Sequence, residues 1–220
     1  MAAISDYNNL STAIKQWAAR SDSTFSNQIE TFVNYAELRM NNGQGEVGGP
    51  LQCDALNAPE MEITSVLAVV NGTVAMPTDS SSIRTITRDG DRTGMTFMDP
   101  RQFHIRNQDT AADINPTYYT VDAGQMLKFD AAYTGNVNVT YYKQFPALGP
   151  TNLTNTILTK YPLLYLSGCL FEAFSFCQEP ELAMGHFERY KAQVAGINDS
   201  ANSVRFGGGP LRIRVRNPMP

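Results

Sequence analysis

The chain has 220 residues, 42% hydrophobic and 17% charged, with a formal net charge of −4. That length holds one large domain or two small ones, and the acidic balance argues against a generally basic nucleic-acid binder. No apolar run approaches the ~18 residues of a transmembrane helix, and the opening MAAISDYNNL has neither the basic start nor the apolar stretch of a secretory signal. Cys53, Cys169 and Cys177 are an odd, scattered set without metal spacing. They exclude a disulfide framework and make a reducing cytosol the simpler setting.

Two helices are predicted first. Tyr7, Leu10, Ile14 and Trp17 recur at three- and four-residue steps, with Ser5 or Asp6 as the cap. After the polar break Arg20–Ser23, a second run places Phe25, Ile29, Phe32, Val33, Ala36 and Met40 on one face and stops at Asn41-Asn42-Gly43. Residues 43–58 are rich in glycine and polar groups without periodicity, which reads as a loop or flexible connection.

From about residue 59 to 148 the period becomes two. Ile63, Ser65, Leu67 and Val69 share a face, and Asn71-Gly72 offers a hairpin turn into Thr73–Met76. Strand patterns follow around Arg84–Arg88, Tyr118–Asp122, Gln125–Asp130 and Asn136–Lys143, spaced as in a small antiparallel sheet. Asp99-Pro100 interrupts them as a helix opening. Helical pattern returns after Pro150. A run from Leu158 to Phe174, apolar on most sides, has Pro162 near its first turn. Gln178-Glu179-Pro180 breaks it. A last helix carries Phe187, Tyr190, Val194, Ile197 and Ala201.

The expected class is α+β. Two N-terminal helices with a Gly-rich loop (1–58) and two C-terminal helices (149–204) form a bundle, a small antiparallel β module (59–148) is inserted, and an extended arm (205–220) follows.

Little of this carries chemistry. His104 and His186 have no Cys, Asp or Glu at metal spacing, and structural or surface roles are the simpler reading. Cys169 and Cys177 sit two helical turns apart, about 12 Å along an axis, too far for a disulfide; they read as buried small hydrophobes. Asp89, Asp91 and Asp99 approach a carboxylate cluster but lack a calcium-loop pattern. No phosphate loop, dinucleotide fingerprint, nucleophile elbow or zinc-protease motif is present. No catalytic, cofactor or metal residue is therefore assigned. An enzyme using Asp89, Asp91, Asp99 or His104 stays as the alternative.

The arm stands apart. All 21 acidic residues lie at or before Asp199, so residues 1–199 carry −8 and the last 21 residues +4. Beyond Gly207-Gly208-Gly209-Pro210, Leu211, Ile213 and Val215 alternate with Arg212, Arg214 and Arg216. A lone strand is unstable in water, so this one must add to a sheet in this subunit, in a neighbour or in a partner. A frayed end and arginine contacts to nucleic acid are the other readings. The strict alternation favours docking, on a partner or neighbouring subunit rather than on the chain's own bundle.

Several stretches together resemble the adaptor, or head-to-tail connector, proteins of tailed bacteriophages. They are Ser5–Leu10, Ala13–Trp17 and Arg20–Asp22; Phe32-Val33, Ala36-Glu37 and Arg39–Asn41; Met76–Asp79, Pro116–Tyr119 and Val139–Lys143; Tyr161–Leu166, Leu170–Ala173 and Phe187–Tyr190. The likeness covers roughly residues 4–203. It departs at 41–58, where the family tends to continue its second helix with arginines. The resemblance implies a homo-oligomeric ring, typically dodecameric, beneath the portal of a filled head and above a downstream tail or nozzle protein. DNA would pass through its channel without sequence-specific binding. It implies a virion neck location after assembly in the host cytoplasm, no membrane, no cofactor and no catalysis. The arm, Leu211–Arg216, is the partner-binding candidate.

Overall fold

The computed structural model describes residues 4–46, 48–91, 93–109, 116–130 and 132–205. The class is α+β. Residues up to Glu60 together with those from Phe145 form one compact unit, and Met61–Gln144 form a second.

The first unit is helical. α1 (Tyr7–Trp17) is capped by Asp6, whose carboxylate accepts the Asn9 N–H at 2.8 Å, and it buries Tyr7, Leu10, Ala13 and Ile14. The second apolar run is two helices rather than one. α2 (Ser23–Asn27) is capped by Asp22, and after a one-residue turn at Gln28 the chain continues as α3 (Ile29–Asn42). Gln28 keeps φ −92° and ψ −7°, so the apolar face carries on across the break. α3 ends at Gly43 with φ +68°, where an added Cβ would lie 2.8 Å from the Cys53 carbonyl oxygen.

The Gly-rich segment after it is better anchored than its composition predicts. Gln44 and Cys53 exchange backbone hydrogen bonds, Leu56 N–H donates to the Met40 carbonyl, and Cys53, Leu56 and Ala58 are buried. Asn198 holds the far end, accepting from Asn57 N–H and donating to Ala55 O. Long-range partners of this kind leave no local period in a sequence.

The late apolar run also divides, into α5 (Thr156–Lys160) and α6 (Pro162–Phe176). The cause is Pro162: it pushes the preceding Tyr161 out of the helical region, to φ −129° and ψ 57°, while itself filling the first position of α6. α6 packs on α1, α3, α5 and α7 (Pro180–Arg205) and buries ten of its residues. Gly168 marks the closest approach: a Cβ there would lie 3.2 Å from Ala36 Cβ and 3.4 Å from the Tyr190 ring. Leu163, expected within the buried surface, is 62% exposed at the start of α6. Cys169 is buried as expected, but Cys177 is only half-buried and accepts an Arg20 guanidinium N–H at 3.4 Å.

The second unit contains two sheets among its described residues where one was expected. β1 (Glu62–Val69), β7 (Gly135–Lys143) and β3 (Ser80–Arg88) form an antiparallel sheet in the order β1-β7-β3, with Leu67 opposite Val137 and Ile86 opposite Val139. β2 (Thr73–Ala75), β6 (Met126–Phe129), β5 (Tyr118–Asp122) and β4 (Thr96–Phe97) form the other, in the order β2-β6-β5-β4. Its β4–β5 pair is parallel. The Asn71-Gly72 turn forms, with φ 50° and 72° and a Val70–Thr73 bridge. Its two strands nevertheless part into different sheets. Val69, Met76, Ile86, Tyr119, Leu127, Phe129, Val137, Val139 and Tyr141 make one core between them. Helix α4 (Pro100–Asp109) opens at Asp99-Pro100, with the Asp99 carboxylate accepting the Arg101 N–H.

Candidate functional site

The predicted partner-binding residues Leu211, Arg212, Ile213, Arg214, Val215 and Arg216 lie outside the described residues. The groups proposed for the enzyme alternative are among the described residues. Gly90, with φ +78°, turns the chain between Asp89 and Asp91, and the Asp91 carboxylate accepts from the Arg88 guanidinium at 3.2 Å and from Thr93 N–H. Asp99 serves the first turn of α4. His104 is exposed on α4, edge-on to Phe103. His186 is half-buried rather than turned mostly to water. Its ring stacks on Phe174 at 5.2 Å and meets Trp17 edge-on, and burial followed by the nearby Arg189 lowers its pKa. Among the described residues, no three of His, Cys, Asp and Glu could share a metal ion.

The chemically distinctive groups are inside the helical unit. Glu37 on α3 is 4% exposed. Its Oε1 accepts the Leu148 N–H at 2.9 Å and the Tyr165 O–H at 2.9 Å. Asn155 Nδ2 donates to the Tyr165 oxygen at 2.7 Å and to the Pro146 carbonyl, while its Oδ1 caps α5. Burial pushes the Glu37 carboxyl up to about 7, although both hydrogen bonds oppose the shift. Burial also raises the Tyr165 hydroxyl and the Cys169 thiol, with Glu37 adding to each.

Two residues along α3, Arg39 is equally buried. It pairs with Glu172 of α6, donates to Gln44, and lays its guanidinium 4.6 Å from the Phe171 ring centre, within about 6 Å of Phe187 and Tyr190. Its Nη1 has no hydrogen-bond partner. These are positioning groups: they fix α3, α6, α7 and the 145–155 segment against one another. In the sequence Glu37 and Arg39 stand out only as part of the family resemblance, without a packing role, although a signal for one existed. Arg39 follows Phe32 by seven residues and Ala36 by three, and Glu37 follows Val33 by four, so both fall on or beside the apolar stripe.

A groove of about 400 Å³ runs between the start of α6 and α7, lined by Tyr161, Pro162, Leu163, Gln193, Ile197 and Ser200 among others. Tyr35 and Leu38 are more than half exposed on α3. In the β unit, a second hollow of about 430 Å³ lies among Met76, Ser80, Ile83, Phe97 and Tyr119. No described helix is long and apolar enough to cross a membrane.

The fold that these buried charges and surface grooves belong to is of the α+β class. The family model described as SU10 adaptor protein matches residues 5–214, and the chain belongs to this family of phage head–tail adaptors. Membership implies a structural, non-enzymatic role in the virion neck and interaction with portal and tail proteins, and gives the enzyme alternative no support. A comparison with curated proteins finds no match.

Proposed function

We propose that the protein is the ring-forming adaptor of a phage neck: a homo-oligomer, dodecameric as the resemblance implies, seated beneath the portal and receiving a downstream tail or nozzle protein. DNA passes through its channel without sequence-specific binding. The observation that carries this reading is the extent of the family match, which runs through both compact units and into the arm as far as residue 214. The acidic residues 1–199 and the absence of a membrane-crossing helix among the described residues suit a subunit held off phosphate and off lipid. The arm, Leu211–Arg216, grips the portal or a neighbouring subunit. It uses its apolar face for burial, backbone pairing for register and arginines for an acidic surface.

The test is attachment. A chain ended after residue 206 is expected to fold and melt close to the full chain, yet to fail to join purified portals in sedimentation or negative-stain imaging. Attachment of the shortened chain with full-length affinity would overturn the arm's role. Failure of the intact chain to form rings on any portal-bearing particle would overturn the adaptor reading itself.

A further inference from the structure

We infer that, before assembly, the chain's own C-terminal segment Leu211–Arg216 occupies the groove between α6 and α7, so that the free subunit carries its gripping arm stowed on its own surface. This goes beyond the adaptor reading, since it concerns the unassembled subunit and the site where the arm rests.

Four observations point to it. The first is reach. The groove is lined along α7 by Gln193, Ile197 and Ser200, and α7 ends at Arg205. Eight helical rises separate Arg205 from Ile197, about 12 Å. The six residues from Arg205 to Leu211 span at most ~20 Å, and the glycine triplet at 207–209 permits the reversal. The second is length. Gln193 to Ser200 covers about 10 Å of helix, and Leu211 to Val215 in extended form covers about 13 Å. The third is chemistry. Leu163 is 62% exposed at the groove's rim, with Pro162 and Ile197 half-buried beside it, a surface suited to the Leu211, Ile213, Val215 face. Gln193 Oε1 lies buried without a hydrogen-bond partner, an acceptor for an incoming N–H. The fourth is charge and tethering. A −8 body attracts a +4 tail, the one cation lining the groove among the described residues, Lys160, is already paired with Glu60, and a short covalent tether supplies the tail at an effective concentration on the order of millimolar, which favours the chain's own arm over a second copy's. Assembly then exchanges this resting contact for one on the portal or a neighbour.

Hydrogen–deuterium exchange of the full chain, free of portal and read at the amides of residues 211–216, tests this. In the wild type these amides are expected to exchange slowly, to the same degree at low and high protein concentration. Leu163→Lys, at an exposed position, should raise their exchange at least about tenfold, the scale set by losing one aliphatic contact. Leu163→Met should not. Ser200→Arg, on the exposed edge, gives a second variant that does not touch the core and should act in the same direction. Amides that exchange at free-peptide rates would overturn the inference. So would protection that rises with concentration, which assigns the arm to a second copy, or protection that survives both Leu163→Lys and Ser200→Arg, which places it elsewhere. Loss of portal attachment by the arm-deleted chain bears only on the adaptor reading, so the two can fail separately.

Discussion

The two units differ in the charge they enclose. The helical unit encloses Glu37, Arg39 and the Asn155 amide within its core, whereas the buried polar residues described in the β unit are Ser80 and Thr120. The β unit's ion pairs, Arg84–Glu62, Arg88–Asp91, Lys128–Asp122 and Lys143–Asp79, all keep substantial contact with solvent. A charge removed from water demands a partner of definite geometry, and removing that partner strands the survivor in a low-dielectric medium. A surface pair asks little of either residue. Orientation in the helical unit is therefore set by a few polar contacts laid over apolar packing. In the β unit it is set by strand register and one continuous apolar core.

The sharpest test of the helical side is Leu166→Asp. Leu166 is 4% exposed in α6, the helix against which α1, α3, α5 and α7 pack. An unpaired carboxylate there costs several kcal/mol against a typical stability of about 5–15 kcal/mol. Loss of the cooperative melting transition by circular dichroism is the expected outcome; a wild-type melting temperature would contradict the central place of α6.

Arg39→Ala should come next, at about 3–5 kcal/mol, because it leaves the largely covered Glu172 without its cation and removes the guanidinium from the Phe171 face. Urea unfolding measures it. Pairing Arg39→Met with Glu172→Gln should recover much of the loss, since an apolar side chain of similar length then fills the space and no charge is stranded.

The third test uses pH. Glu37 titrates near 7 in the folded chain against an ordinary value of 4.5, so the folded state holds this proton more tightly than the unfolded one. Its stabilising effect is full below about pH 4.5 and falls as pH rises through 7, by roughly 3 kcal/mol in all. His186, with its lowered pKa, acts the other way, destabilising the fold as pH drops below its ordinary value of 6.5. The difference between wild type and Glu37→Gln across pH 5–8 isolates the carboxyl. A constant difference would show that Glu37 does not titrate there.

The comparison also explains what could be read in advance. Local signals worked: the Tyr7, Leu10, Ile14 stripe, the Asp6 cap, Pro162 at a helix start, the Asn71-Gly72 turn and the strand periods all lie within a few residues of their cause. Hidden features depend on residues far apart. Glu37 meets Leu148 and Tyr165 across more than a hundred positions, and Asn198 reaches Ala55 and Asn57. The parting of β1 and β2 into separate sheets follows from their pairing with β7 and β6, which the turn between them does not encode. The candidate site divides in the same way. The arm stood out because its alternation is local, while the α6–α7 groove needed Leu163 and Ile197, more than thirty residues apart, to be seen side by side.

The smallest expected effect belongs to the β unit. Arg84 on β3 pairs with Glu62 on β1, with side-chain exposures of 36% and 23%. β7 lies between the two strands, so the pair spans a sheet whose register is already fixed by backbone pairing on both sides. Arg84→Ala should therefore change unfolding free energy by no more than about 1 kcal/mol, with the smaller part of that surviving at high salt. Arg39→Ala should be largely indifferent to salt, because its ion pair is shielded by protein. Measuring both variants in urea at low and high ionic strength puts the contrast between the units into one experiment. If Arg84→Ala proved as costly as Arg39→Ala, and equally insensitive to salt, surface charge would be organising the β unit too, and the division between an internally charged helical core and a register-held sheet would fall.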